Sequence, residues 1–133
     1  MGLEVTAEIQ GLDELERRLV ALPSAVGIKV MRSALLDAAK PIRDAARERV
    51  HKRTGALARS IGLASGATGK DGAFAGIRMA RKLAGWRWHF EEFGTSRQRA
   101  RPFLRPAFDE QVMPALRRFS EQLSKRIERA ARS

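Results

Sequence analysis

Residues 86–108 read WRWHFEEFGTSRQRARPFLRPAF. In the first half Trp86, Trp88, Phe90 and Phe93 crowd around the paired acids Glu91 and Glu92. Gly94 and Thr95 then interrupt the pattern. Glycine takes the positive φ that ends a short helix or turns a strand, so a change of direction is expected there. Arg97, Arg99 and Arg101 follow without apolar periodicity and predict an exposed basic loop. Pro102 fixes its own φ and pushes Arg101 towards an extended conformation, an entry suited to a helix. Beyond it Leu104, Phe108, Val112, Leu116, Phe119, Leu123 and Ile127 recur at spacings of three and four. That spacing predicts a long amphipathic helix with Arg117, Arg118, Lys125, Arg126, Arg129 and Arg132 on its polar face. Pro106 falls in the permissive first turn, and Pro114 should bend the helix.

Towards the N-terminus, residues 61–79 are small and often apolar, broken by Thr68-Gly69-Lys70-Asp71-Gly72, and predict a β-hairpin with a glycine-rich tip. The tip lacks the spacing of a phosphate-binding loop. Residues 78–87 read as a mobile connection. Thr54 and Gly55 predict a turn, with Thr54 capping one helical turn over residues 56–60. Ser24 is the expected cap of a long helix whose stripe is Met31, Leu35, Ala38, Ile42 and Ala45, with a kink at Pro41. Leu12, Leu15, Leu19 and Leu22 mark a shorter helix stopped by Pro23, with Asp13 and Glu16 as its capping box. Leu3, Val5, Ala7 and Ile9 alternate with polar residues as a half-buried strand does. The sum is an α+β fold: a small antiparallel β-sheet packed against a long kinked N-terminal helix and a long C-terminal amphipathic helix. It is read as one domain over residues 1–133.

Composition narrows the functions. With 44% hydrophobic residues but only 6% aromatic, the core must be built mainly from aliphatic side chains and alanine, and the clustered rings of residues 86–93 are expected to add buried area to it. No apolar run approaches the roughly 20 residues of a membrane span, and the first residues do not form a signal peptide. Cysteine is absent, and two histidines without a carboxylate cluster make no zinc site. The net charge of +11 suggests a polyanionic neighbour, either DNA or an acidic protein face.

Two words in the quoted stretch, EEFGT and ARPFLRPAF, together with RTGALARSI upstream, resemble the signature of tailed-phage neck proteins, the minor tail or tail-completion components. The positions carrying the resemblance are Thr54, Gly55, Leu57, Ser60, Glu92, Phe93, Gly94, Thr95, Pro102, Phe103 and Pro106. Each has a bland reading as a turn or a helix anchor. The resemblance implies an α+β subunit of a homo-oligomeric ring, sixfold by preference and twelvefold as runner-up. It also implies contact with head-closure or adaptor proteins and with tail-terminator or tail-tube proteins. The hairpin over residues 61–79 and the segment 94–101 are the expected contacts between copies, both being exposed and poorly satisfied internally.

Arg97, Arg99, Arg101 and Arg105 are the candidates for contact with DNA or a partner. They either face genomic DNA in a channel or pair across subunits with Glu91, Glu92 or Asp109. No nucleophile pattern or metal cluster is present, and neighbouring Glu91 and Glu92 diverge, so catalysis and cofactors are not expected. The alternative is a sequence-independent DNA-binding protein.

Overall fold

The computed structural model describes residues 12–51, 55–68, 72–81 and 85–132. The strand expected over residues 3–9, Thr54 and the tip of the hairpin lie outside them. The elements are α1 (Leu12–Val20), α2 (Ser24–Arg49), α3 (Ala56–Ser60), β1 (Ile61–Thr68), β2 (Gly72–Met79), a 3-10 turn (Gly85–Arg87), α4 (Trp88–Phe93) and α5 (Leu104–Arg132). The fold is α+β, as the residue pattern predicts, with β1 and β2 antiparallel and paired in register from Ile61–Met79 to Thr68–Gly72.

The two long helices lie antiparallel. The C-terminal end of α2 meets the start of α5 in one cluster of Ala45, Ala46, Val50, Leu57, Ile61, Phe103 and Ala107. Its N-terminal half meets the far end of α5 in a second cluster of Leu15, Ala34, Leu123 and Ile127. Alanine dominates the seam: Ala34, Ala46 and Ala107 are wholly covered, which lets the backbones approach closely. The α2 helix runs unbroken through Pro41, and α5 through Pro114. In the stripe predicted for α5, Leu123 and Ile127 are buried, but Phe108 is half exposed.

A two-stranded ribbon is marginal alone, so its inner face must be held. Ile77 and Met79 pack into the first cluster. Arg32 Nη2 donates to Ser65 Oγ at 3.3 Å, and Arg47 Nε to the Ile61 carbonyl at 2.9 Å, fastening β1 to α2. The other face carries Gly62, Ala64, Gly66, Gly76 and exposed Phe74 and Arg78. The Phe74 ring lies over Gly66, where an added Cβ would sit 2.6 Å from it.

The helix starts differ in detail from the expectation. The cap position of α2 is Pro23 rather than Ser24, since the helix already includes Ser24. Asp13 sits inside the first turn of α1, not ahead of it. The start of α2 lies one residue and that of α1 two residues ahead of the expectation, and the acids of the first turn of α1 still complement the helix dipole.

Ion pairs tie the helices together on the outside. Arg49 Nε bonds Glu110 Oε2 at 3.1 Å, linking α2 to α5. Asp37 on α2 receives Lys40 at 2.8 Å and Arg126 from α5. Its side chain is only 14% exposed. The hydrogen bond from Lys40 holds the Asp37 carboxyl below its usual value, against the opposing effect of burial and with further help from Arg126. A carboxylate whose folded pKa is depressed adds stability above its unfolded pKa and loses it as the pH falls through the folded value. The stability gap between wild type and Asp37→Asn should therefore be constant from about pH 6 to 8. It should close below about pH 4, as seen in denaturant titrations at each pH.

Candidate functional site

The two sequence words of residues 91–108 meet in one hydrogen-bonded joint. A helix start leaves four backbone N–H groups without partners. In α5 three of them, from Phe103, Leu104 and Arg105, donate to the Glu92 carboxylate at 2.9, 2.9 and 3.1 Å. The fourth position is Pro106, which has no N–H, and Ala107 then makes the first intrahelical bond to the Phe103 carbonyl at 3.2 Å. Every donor of the helix start is thus satisfied or absent. Glu92 is 7% exposed, and its negative charge faces the positive end of the α5 dipole. The sequence pattern placed Glu92 in a signature word but did not disclose this partner, which is 11 residues away for the nearest amide.

Gly94 makes the joint possible. It adopts φ 78° immediately after α4, and a Cβ there would stand 2.7 Å from the Ala100 nitrogen and 3.0 Å from the Gln98 oxygen. Both are backbone atoms that cannot swing aside. Gly94→Ala should cost about 2 kcal/mol or more in chemical denaturation, from the left-handed backbone and the clash together.

The segment 94–101 is not poorly satisfied, contrary to the expectation. Thr95 Oγ1 accepts the amides of Arg97 and Gln98 at 3.2 and 3.0 Å, while the Thr95 amide reaches the Gln98 carbonyl at 2.9 Å. Thr95 at the start of a turn does this readily, because its short hydroxyl reaches amides two and three residues on. Arg101 donates its amide to the Glu91 carbonyl at 2.7 Å and Nη2 to Glu91 Oε1 at 3.1 Å, and Gln98 Nε2 reaches the same oxygen at 3.3 Å.

The four candidate arginines consequently separate. Arg101 is paired with Glu91 within the chain, and Arg105 lies 3.7 Å from Asp109 one turn along α5. Glu92 is occupied by backbone amides. Those partners are intramolecular rather than the intersubunit ones considered above. Arg97 and Arg99 are exposed, and their side chains have no ion pair or hydrogen bond among the described residues.

The aromatic cluster also departs from the reading as core. Trp88 packs into the first cluster, but Trp86 is 53% exposed, Phe90 38% and Phe93 72%. A six-residue helix has one narrow inner face, and Glu92 and Trp88 fill it. The rings follow one another in a chain that passes through Trp88: Trp86 to Phe90 at 6.2 Å, Phe90 to His89 at 4.2 Å, His89 to Trp88 at 5.8 Å and Trp88 to Phe93 at 6.1 Å. Arg87 stands 5.9 Å from the Trp86 ring centre. Nor is residues 85–87 a loose connection: Gly85 is buried and its amide bonds the Ala80 carbonyl at 3.1 Å.

A cleft of about 300 Å³ runs beside this surface, lined by His51, Gly55, Leu57, Arg87, Phe90, Glu91, Gln98 and Arg101. All three signature words border it. Gly55, at φ 77°, is the cap of α3, in place of the Thr54 cap that was expected. Ser60 is buried and donates its hydroxyl to the Leu57 carbonyl at 2.6 Å. Glu91, the one carboxylate of the lining among the described residues, is held by Arg101 and Gln98. Among the described residues no three His, Asp or Glu side chains converge as a metal site, and no helix is long and apolar enough to cross a membrane.

A protein-family comparison matches residues 13–94 to the HK97-gp10-like family, described as "Bacteriophage HK97-gp10, putative tail-component". The chain belongs to the HK97-gp10-like family. The match runs from α1 to the glycine after α4, and so includes Glu92 and Gly94. No curated protein and no solved structure matches the chain. Membership in this phage tail-component family bears out the resemblance to phage tail components, with RTGALARSI and the EEFG of EEFGT inside the matched residues, and supports a structural role in the virion.

Proposed function

We propose that this protein joins the DNA-filled head to the tail as a ring in the virion neck, between head-closure or adaptor proteins and tail-terminator or tail-tube proteins. Membership in the tail-component family is the observation that carries this reading. It is supported by the use of the signature residues: Gly55, Ser60, Glu92, Gly94 and Thr95 make turns and backbone bonds that shape the subunit, so function is left to its surfaces. We read residues 1–133 as one neck domain that is not an enzyme. It is made in the host cytoplasm and incorporated in the virion. A sixfold ring matching the tail is preferred over a twelvefold one matching the portal. A ring needs two different faces, each complementary to the next copy. The outer face of the hairpin, where Phe74 and Arg78 stand out among Gly62, Ala64, Gly66 and Gly76, is our candidate for one of them.

An amber mutation of the gene, followed by electron microscopy of the lysate, tests the reading. Separate filled heads and free tails are the expected result. Normally joined particles would exclude a joining role and favour the second reading, a sequence-independent DNA binder. That alternative rests on the exposed Arg97 and Arg99, whose side chains have no partner among the described residues, and on the exposed Arg117, Arg118, Arg129 and Arg132 of α5. In it, the affinity of the purified chain for duplex DNA should fall by orders of magnitude between 50 and 200 mM salt.

A further inference from the structure

We propose that the ring surface formed by Trp86, Phe90 and Phe93, with Arg97 and Arg99 beside it in the chain, is the docking site for a different virion protein whose contact face has an apolar centre and an acidic edge. The inference rests on the neck reading and assigns one of its contacts to named residues. Three large rings left 38–72% exposed within eight residues are more than the scattered apolar exposure of an ordinary surface. Tryptophan, phenylalanine and arginine are the residues enriched where binding energy concentrates. The surface is also rigid before any partner arrives. Trp88 roots it in the core, Glu92 locks α4 to the start of α5, and Thr95 closes the loop that bears the arginines. Little ordering entropy is then lost on docking.

Charge selects the occupant. The nearby acids contribute nothing outward, because Glu91 is held by Arg101 and Gln98 and Glu92 by three amides. What the surface shows outward is apolar and cationic. A second copy docking through this same surface would set Arg97 and Arg99 against their own counterparts, and the contact between copies in the ring is assigned to the hairpin instead. Duplex DNA offers an anionic edge but keeps its base faces stacked, leaving no apolar counterpart for three projecting rings. A protein with carboxylates around an apolar patch satisfies both features.

The test places the photoreactive p-benzoylphenylalanine at position 93, the most exposed ring, in the phage that carries this gene. Purified virions are irradiated and cross-linked products identified by mass spectrometry. A product with another virion protein, attached at an apolar segment next to Asp or Glu, is expected. The double variant Arg97→Glu with Arg99→Glu should lower its yield at least about tenfold, and reversing those partner acids to Lys should restore it. The same double variant should keep the unfolding transition of the wild type, since neither arginine side chain has a partner among the described residues. A product with a second copy, a product with DNA, or no product from virions that contain the chain would each overturn the inference. Absence of the chain from purified virions would overturn the neck reading itself.

Discussion

Glu92→Ala should destabilise the protein by about 3 kcal/mol or more, measured by chemical denaturation. Loss of an ordinary helix cap costs about 1 kcal/mol. Here one carboxylate serves three amides, and charge-assisted hydrogen bonds contribute about 1.5–3 kcal/mol each before their non-additivity is counted. The Phe103 amide is buried, so truncation leaves a donor that solvent reaches poorly. Water entering at the Leu104 and Arg105 amides will recover part of the loss, which keeps the expected value well below the sum. Glu92→Gln should fall between the two. It retains Oε1, which serves Phe103 and Leu104, but turns an amide towards the Arg105 N–H. Hydrogen exchange at those three amides should accelerate in both variants while exchange at the far end of α5 changes less. A cost under 1 kcal/mol for Glu92→Ala would mean that the joint between α4 and α5 is incidental.

Phe103→Ala is expected to cost about 3–5 kcal/mol, the range for truncating a buried aromatic ring. Phe103 is 0% exposed and is among the largest fully covered side chains among the described residues. Its cluster holds three alanines, Ala45, Ala46 and Ala107, beside Val50, Leu57 and Ile61. Alanines have no rotamers with which to close a cavity, so the site should collapse poorly and the cost should lie towards the upper end. Phe103→Leu should cost roughly 1–2 kcal/mol, since most of the volume is kept. Combined with Glu92→Ala, the two changes should be less than additive, because Phe103 both fills the cluster and donates to Glu92. Full additivity would show that the ring and the amide act independently.

Much of the fold was legible because its elements are periodic. The α2 and α5 helices and the hairpin follow from local spacing, and turn residues such as Gly94 mark the reversals between them. Helix starts lie one or two residues from their expected places because cap positions depend on backbone angles that neighbouring residues share. The role of Glu92 was not legible. Its donors lie 11 to 13 residues on, and an acid beside another acid carries no local mark of a distant amide. A trace was present in Pro106, which removes the one donor that Glu92 does not serve. The exposed rings were misjudged because composition favours burying aromatics, whereas a six-residue helix has room inside for only part of its side chains.

The sequence by itself therefore determined α1, α2, α3, α5, the hairpin, the turn at Gly94 and the family to which the chain belongs, since each rests on patterns local in the chain. Only the tertiary structure decided how Glu92 is spent, that Arg101 is paired with Glu91 while Arg97 and Arg99 are exposed, and that Trp86, Phe90 and Phe93 face outward. Those outcomes depend on which surfaces α2 and α5 leave available once their alanine seam has closed, and spacing along the chain does not encode that competition.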